Sequence, residues 1–344
     1  MGRAKIMKKH VNIPIFIPHM GCPNDCVFCN QRPISGRQSF DVSTVEEQIK
    51  EALATVSVET ECEIAFFGGS FTGIDRGLMI HLLDVAKKYT DSGRVSGIRL
   101  STRPDYINDE ILDILSGYKI SAIELGLQSM CDEVLLATKR GHDARCAESA
   151  CRLIKEWGFC LVGQMMIGLP ESDVHKEIYT AKKICELGAD GARIYPTVVF
   201  RETELCEMTK RGEYAPIDED DAVVRTKEAL KVFEEHGVPC IRVGLCASDN
   251  LSDDSEVYGG ANHSAIGELS MGELYYDRIC EELDKLENLS GKNIVICCSR
   301  GSTSKVSGQN KRNKTRISKK YGVKSIKILE KSEILGYNII LYVV

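Results

Sequence analysis

Apolar runs alternate with amphipathic stretches at a nearly constant period, and this alternation limits the fold more than any other feature of the chain. Runs at 12–18, 61–69, 97–103, 120–128, 160–169 and 192–200 each give way to Gly, Pro or Ser and read as strands. Between them, stretches such as 45–56, 77–89 and 176–187 carry apolar residues at three- and four-residue spacing, the mark of a helix packed on one face. Ser43 or Thr44, and Asn108, are suited to cap helix N-termini. Strands and helices in this order imply parallel strands joined by right-handed crossovers. Six such units, with 240–245 as a further strand, suit a curved, partial (β/α)6 barrel of the TIM-like α/β class. A flat doubly wound sheet is the competing architecture.

In a β/α barrel the loops after the C-terminal ends of the strands carry the chemistry. The informative residues of this chain fall there. GCPNDCVFCN (21–30) follows the first strand, and Gly68, Gly69 and Ser70 end the second. Ser101 and Arg103 end the third, Gln128 the fourth, and GLPES (168–172) the fifth; Gln164 and Tyr195 lie on the fifth and sixth.

Cys22, Cys26 and Cys29 are spaced C-x3-C-x2-C. A structural zinc site usually takes four protein ligands, and a redox pair takes two. Three thiolates leave one coordination position open for a substrate or cofactor. A zinc site with a remote fourth ligand is the alternative. The chain has fifteen cysteines, and most of the twelve outside the cluster read as small buried residues; the pair Cys297 and Cys298 reads as packing rather than ligation. The N-terminus lacks a signal-peptide pattern and no apolar run approaches the roughly 20 residues of a membrane span, so a cytoplasmic protein with no membrane partner is expected. His142 and His263 read as exposed polar residues with no required role.

C-x3-C-x2-C with Phe28 before the last cysteine, placed after the first strand of such a barrel, resembles the radical SAM superfamily. The resemblance implies an enzyme. Cys22, Cys26 and Cys29 would hold a [4Fe–4S] cluster, whose open iron takes the amino and carboxylate groups of S-adenosylmethionine. Reductive cleavage of that cofactor gives a 5′-deoxyadenosyl radical for hydrogen abstraction. An electron donor such as flavodoxin or ferredoxin is implied as a partner. FFGGSFTG matches the superfamily's Gly-Gly-Glu segment at Gly68 and Gly69, with Ser70 in place of the acid. QMMIGLPE keeps Gly168 and Glu171 of the pattern at the fifth strand but has Gln164 and Met166 in place of Gly and Ile. Phe28, Gly68, Gly69, Ser70, Ser101, Arg103, Gln128, Gln164 and Tyr195 are the implied cofactor contacts, with Arg103 suited to the methionine carboxylate.

Beyond the cysteines, FGGSFTG, STRPDYI, ELGLQS, RGH, MIGLP and RIYPTVVFRETELCEMTKRGEY resemble the radical SAM core of the Elongator catalytic subunit, which modifies the wobble uridine of tRNA. That protein has a wider first cysteine gap and an acetyltransferase domain. Here 99 residues follow position 245, without an acetyl-CoA-type Gly-rich motif. The expected organisation is a core at 11–245, a linker and helix at 246–290, and a small basic α/β appendage at 291–344. The net charge is -6, yet residues 292–331 hold twelve Lys or Arg and one acid, Glu330. KRNKTRISKK (311–320) places six cations in ten residues, which suits tRNA phosphates. A small-molecule or peptide substrate is the alternative.

Overall fold

A computed structural model of the chain describes residues 10–17, 20–22, 26–30, 40–245 and 256–344. Part of the cysteine loop and the first part of the expected linker lie outside these. Strands β1 (His10–Ile17), β2 (Glu61–Gly68), β3 (Gly97–Thr102), β4 (Ile120–Gln128), β5 (Leu161–Ile167), β6 (Gly191–Pro196), β7 (Val198–Phe200) and β8 (Cys240–Val243) fall where the apolar runs lie. Helices α1 (Val45–Thr55), α2 (Arg76–Asp91), α3 (Asp109–Ser116), α4 (Asp132–Ala137), α5 (Ala144–Glu156), α6 (Val174–Glu186), α7 (Glu204–Lys210) and α8 (Glu219–Glu235) fill the crossovers. Asn108 caps α3 by accepting from the Ile111 amide. Thr44 precedes α1 without capping it; its hydroxyl accepts from Gln48 instead.

Seven strands form one sheet in the order β1-β2-β3-β4-β5-β6-β8. Every neighbouring pair is parallel. The sheet curls. Arg193 of β6 lies over the ring of Phe67 of β2, at 5.3 Å. Those strands stand four places apart, roughly 19 Å in a flat sheet, beyond the reach of one side chain. β1 and β8 are not paired with each other among the described residues, so the barrel is partial and open, as the alternation predicts.

The two faces of each strand divide the work. Ile64, Phe66, Leu100, Leu125, Met165 and Ile194 alternate toward the helices and are buried with Leu82, Leu112 and Ile154. The opposite positions are polar. His10 meets Glu63 at 2.9 Å, and Arg99 bridges Glu63 and Glu124 at 3.0 Å each. Arg193 closes on Glu124 at 2.7 Å. Low-dielectric charges must be paired, and this ladder pairs them across five strands.

The run at 192–200 is not one strand. Pro196 has no amide proton to continue the ladder, and the Thr197 amide and hydroxyl both turn back to the Ile167 carbonyl. Beyond it, β7 leaves the barrel and pairs antiparallel with β9 (Val257–Gly260).

Helix α9 (Ile266–Leu283) follows, then β10 (Asn293–Cys298), α10 (Thr303–Ser307), α11 (Arg312–Tyr321), β11 (Ser325–Glu330) and β12 (Ile339–Val343). β10 is central, parallel to β11 and antiparallel to β12. Tyr275, Ile279 and Leu283 of α9 pack on Ile294 and Ile296 of β10 and on Ile317 of α11, forming a separate core. Cys297 and Cys298 are buried in this sheet.

Candidate active site

The C-terminal ends of the barrel strands surround one cavity of about 330 Å³. On the β1–β3 side it is lined by Cys22, Cys26, Phe28, Cys29, Gly68, Gly69, Ser101 and Arg103. On the β4–β8 side stand Glu124, Gln128, Gln164, Met166, Arg193, Tyr195 and Arg242. Of the residues placed at the strand ends by the sequence, Ser70 and the stretch 168–172, with Gly168 and Glu171, are not on this wall.

Backbone-to-backbone packing fixes the described start of the cysteine loop at Met20 and Gly21. The Gly69 amide donates to the Ile17 carbonyl at 2.8 Å, and the Ser70 amide to the Met20 carbonyl at 3.0 Å. A Cβ at Gly69 would stand 1.9 Å from the Met20 oxygen, and one at Gly21 would stand 2.2 Å from the Ser70 oxygen. The glycines let two loops touch where any side chain would part them. Ser70 is fully buried beneath: its hydroxyl meets Thr102 at 2.9 Å and accepts from the Arg103 amide at 3.2 Å.

Arg103 was expected to offer its charge to a carboxylate of the cofactor. The structure has it engaged within the protein. Nε and Nη2 donate to Asp105 at 2.9 and 3.0 Å, and Nη2 also reaches the Arg140 carbonyl. Burial pushes the Cys22 thiol up, and Arg103 and Arg140 oppose that shift. Gln128 holds a left-handed backbone at the end of β4, and its side chain accepts from Gln164 at 3.4 Å. The Tyr195 hydroxyl accepts from Arg193 at 3.1 Å, and burial raises its pKa.

His142 is not an exposed residue. Its side chain is fully buried 3.9 Å from Asp105. Burial, then Arg140 and Arg103, push its pKa down to about 4, so the imidazole is neutral. Glu171 lies outside the cavity in a left-handed turn, its carbonyl accepting from Lys176. Sequence reasoning missed Glu124, Arg140 and Arg242. The signal was present: Glu124 and Arg242 sit at inward positions of strands whose neighbours are apolar, and Arg140 lies in the RGH stretch.

Among the described residues, no three His, Cys, Asp or Glu side chains are gathered as a site for a metal ion. Cys22, Cys26 and Cys29 instead share one wall of the cavity.

Two family models match this chain: the radical SAM superfamily over residues 16–181 and the radical SAM C-terminal domain over 189–275. The chain belongs to the radical SAM superfamily and is a radical SAM enzyme. Among its relatives, an uncharacterized protein of Methanocaldococcus jannaschii is 29% identical over 74% of this chain and 80% of its own length. The tRNA uridine(34) acetyltransferase of the same organism is 30% identical over 47% of this chain, and the match spans only 34% of that enzyme. The structure of Elp3 from the archaeon Methanocaldococcus infernus, lacking residues 1–46, superposes with a TM-score of 0.60 at 21% identity. That superposition covers 80% of this chain and 64% of Elp3, and it shows a shared fold. No helix among the described residues is long and apolar enough to cross a membrane.

Proposed function

We propose that Cys22, Cys26 and Cys29 hold a [4Fe–4S] cluster, and that the enzyme uses it with S-adenosylmethionine to modify tRNA. The observation that carries the reading is the sharing of one cavity wall by the three thiols, at the rim where the barrel loops meet. Three thiolates would each hold one iron of such a cluster and leave the fourth without a protein ligand, open to the cofactor. When bound, cluster and cofactor supply reductive cleavage of the sulfonium and a 5′-deoxyadenosyl radical for hydrogen abstraction.

The chain's own residues then have definable tasks. Gly68 and Gly69 leave backbone carbonyls accessible for the amino group of the cofactor. Ser101, Gln128 and Gln164 offer polar groups to the ribose and carboxylate, and Phe28 and Met166 offer apolar contact to the adenine. Ser70 acts from beneath by fixing Thr102 and the Arg103 amide. Tyr195 and Arg193 face the substrate side. The open edge between β1 and β8 admits a large substrate. The core comprises residues 11–245, joined through 246–290 to the appendage at 291–344, and a flavodoxin or ferredoxin supplies the electron in a cytoplasmic setting.

The name of the tRNA uridine(34) acetyltransferase, a relative across nearly half of this chain, favours tRNA over a small molecule or peptide. The test is anaerobic reconstitution, iron and sulfide analysis, and measurement of 5′-deoxyadenosine after dithionite reduction with pooled tRNA or with pooled metabolites. The reading expects four irons per chain, their loss in a triple alanine variant of the three cysteines, and product formation that depends on tRNA. Full iron content in the triple variant overturns the cluster site, and indifference to tRNA overturns the substrate.

A further inference from the structure

Arg242 lines the cavity from β8, the strand that ends the sheet at its open edge. The turn after the strand holds it. Its Nε donates to the Gly244 carbonyl at 3.0 Å, and the Gly244 amide donates to the Ile194 carbonyl of β6 at 2.9 Å. Gly244 has left-handed backbone, and a Cβ there would stand 2.9 Å from Ile266 Cγ2, so glycine is needed for the turn and for its packing. The residue is half-buried. Only Nε is engaged: Nη1 and Nη2 have no acceptor, and Arg242 has no ion pair, among the described residues.

The acids of the barrel interior serve other cations. Arg193 occupies the position next to Arg242 in the parallel register, and it donates to Glu124 at 2.7 Å and to the Tyr195 hydroxyl at 3.1 Å. Arg99 shares Glu124 and takes Glu63. Arg242 thus stands beside a like charge on the adjacent strand, an arrangement that is unfavourable until an anion joins it. The cavity wall around it is completed by Pro196, Val198, Phe200 and Leu245, whose side chains offer no acceptor. An ionic contact against such apolar neighbours is stronger than one in open water. The free edge of a planar guanidinium is a fork that fits two oxygens of one anion.

We propose that Arg242 binds a backbone phosphate of an RNA substrate and by that contact sets which nucleotide enters the cavity. This rests on the reading of the protein as an enzyme that modifies tRNA. The place of the residue favours a phosphate within a polymer. β8 pairs only with β6 among the described residues, so a strand can pass Arg242 along the open edge. Its phosphate then stays at the rim while one base turns inward, toward the side lined by Cys22, Cys26 and Cys29.

The experiment is filter binding of the anaerobically reconstituted full-length protein to an anticodon stem-loop RNA. A parallel series replaces one loop phosphate at a time by a neutral methylphosphonate. In wild type, one replacement weakens binding about tenfold, the scale of a charge-assisted contact. Arg242→Gln weakens binding of the all-phosphate RNA by a similar factor, lowers the salt slope by about 0.7, and no longer responds to that replacement. A loosened barrel edge weakens every RNA alike and keeps the response, so the loss of additivity separates contact from structure. If Arg242→Gln does not fold, Arg242→Lys decides: a smaller response at that one position supports the contact, and an unchanged response overturns it. Wild type that is indifferent to every replacement overturns the inference, as does Arg242→Gln responding like wild type. Formation of 5′-deoxyadenosine that depends on a carboxylate metabolite and not on RNA overturns the phosphate. Wild type that binds no RNA overturns the tRNA reading, and this inference with it. RNA binding that is normal in wild type and unshifted in Arg242→Gln overturns the inference alone.

Discussion

Glu124 accepts from Arg193 Nη2 at 2.7 Å and from Arg99 Nη1 at 3.0 Å, on one carboxylate oxygen, with its side chain 1% exposed. One buried carboxylate thus holds two cations from strands on either side of it. Removing it leaves Arg99 with Glu63 and strands Arg193 against Tyr195. Breaking a buried pair by deleting one partner costs about 3–5 kcal/mol. Glu124→Ala is expected to lose stability on that scale in urea unfolding. Adding Arg193→Met to Glu124→Ala recovers part of the loss, because it removes the stranded charge. A double variant no more stable than Glu124→Ala contradicts this account of the ladder.

The His142 imidazole gives stability a pH dependence of known sign. Its folded pKa is lowered to about 4, by burial and by Arg140 and Arg103, with Asp105 opposing. The unfolded chain has the ordinary value of about 6.5. Between these values the unfolded state binds a proton that the folded state does not, so stability falls as the pH falls. The contribution is fully present above pH 6.5 and is lost progressively down to pH 4, a total of about 3 kcal/mol. Chemical denaturation at a series of pH values measures it. His142→Leu is expected to flatten that part of the profile, and a variant with the wild-type slope between pH 6.5 and 4 rules the assignment out.

Much of this fold was legible because the apolar half of each strand carries it. Ile64, Phe66, Leu100 and Leu125 announce strands whatever lies on the other face. The curved, partial barrel was legible in the alternation, but the pairings in its interior were not, because they depend on residues far apart in sequence. Nothing near Arg193 indicates that its partner is Glu124, 69 residues earlier. That Cys22, Cys26 and Cys29 follow the first strand was readable from the sequence, and the structure brings all three to the cavity wall. The engagement of Arg103 by Asp105 was not, although the two are neighbours: an arginine at a strand end reads equally as ligand-binding or as bound. His142 was misjudged because a polar motif, RGH, gives no sign of burial. The break after Pro196 could have been read from the proline itself.

Gly69 offers a test of how the cysteine loop is held. An added Cβ meets the Met20 carbonyl at 1.9 Å, a backbone atom that cannot move without shifting the loop. Gly69→Ala is expected to cost about 1–3 kcal/mol, in the range of overpacking, and, on the function proposed above, to weaken S-adenosylmethionine binding. Gly259→Ala, where nothing lies within 4 Å, is the matched control and should behave as wild type. Calorimetric titration of both variants separates the cases, and equal cofactor affinity in the two removes the loop-packing argument.

The basic helix α11 divides into two sets of cations with different tasks. Arg316 pairs with Glu273 of α9 and stacks over Tyr276 at 3.6 Å. Arg312 lies 3.9 Å from the same Glu273, and Lys320 is 3.7 Å from Asp284. These three tie the appendage to α9. Lys311, Lys314 and Lys319 form no ion pair among the described residues. If tRNA is the substrate, this second set is the one available to phosphates. Replacing Lys311, Lys314 and Lys319 by Ala is expected to leave thermal stability within about 0.5 kcal/mol, as surface changes do. The same variant should flatten the salt dependence of tRNA binding, since each lost phosphate contact lowers the slope by roughly 0.7–0.9. Arg316→Ala should do the reverse: it loses stability through Glu273 and Tyr276 and leaves the slope close to wild type. Filter binding across a range of salt concentrations, paired with thermal melts, reads both. A triple lysine variant with the wild-type slope places the RNA contact elsewhere on the protein.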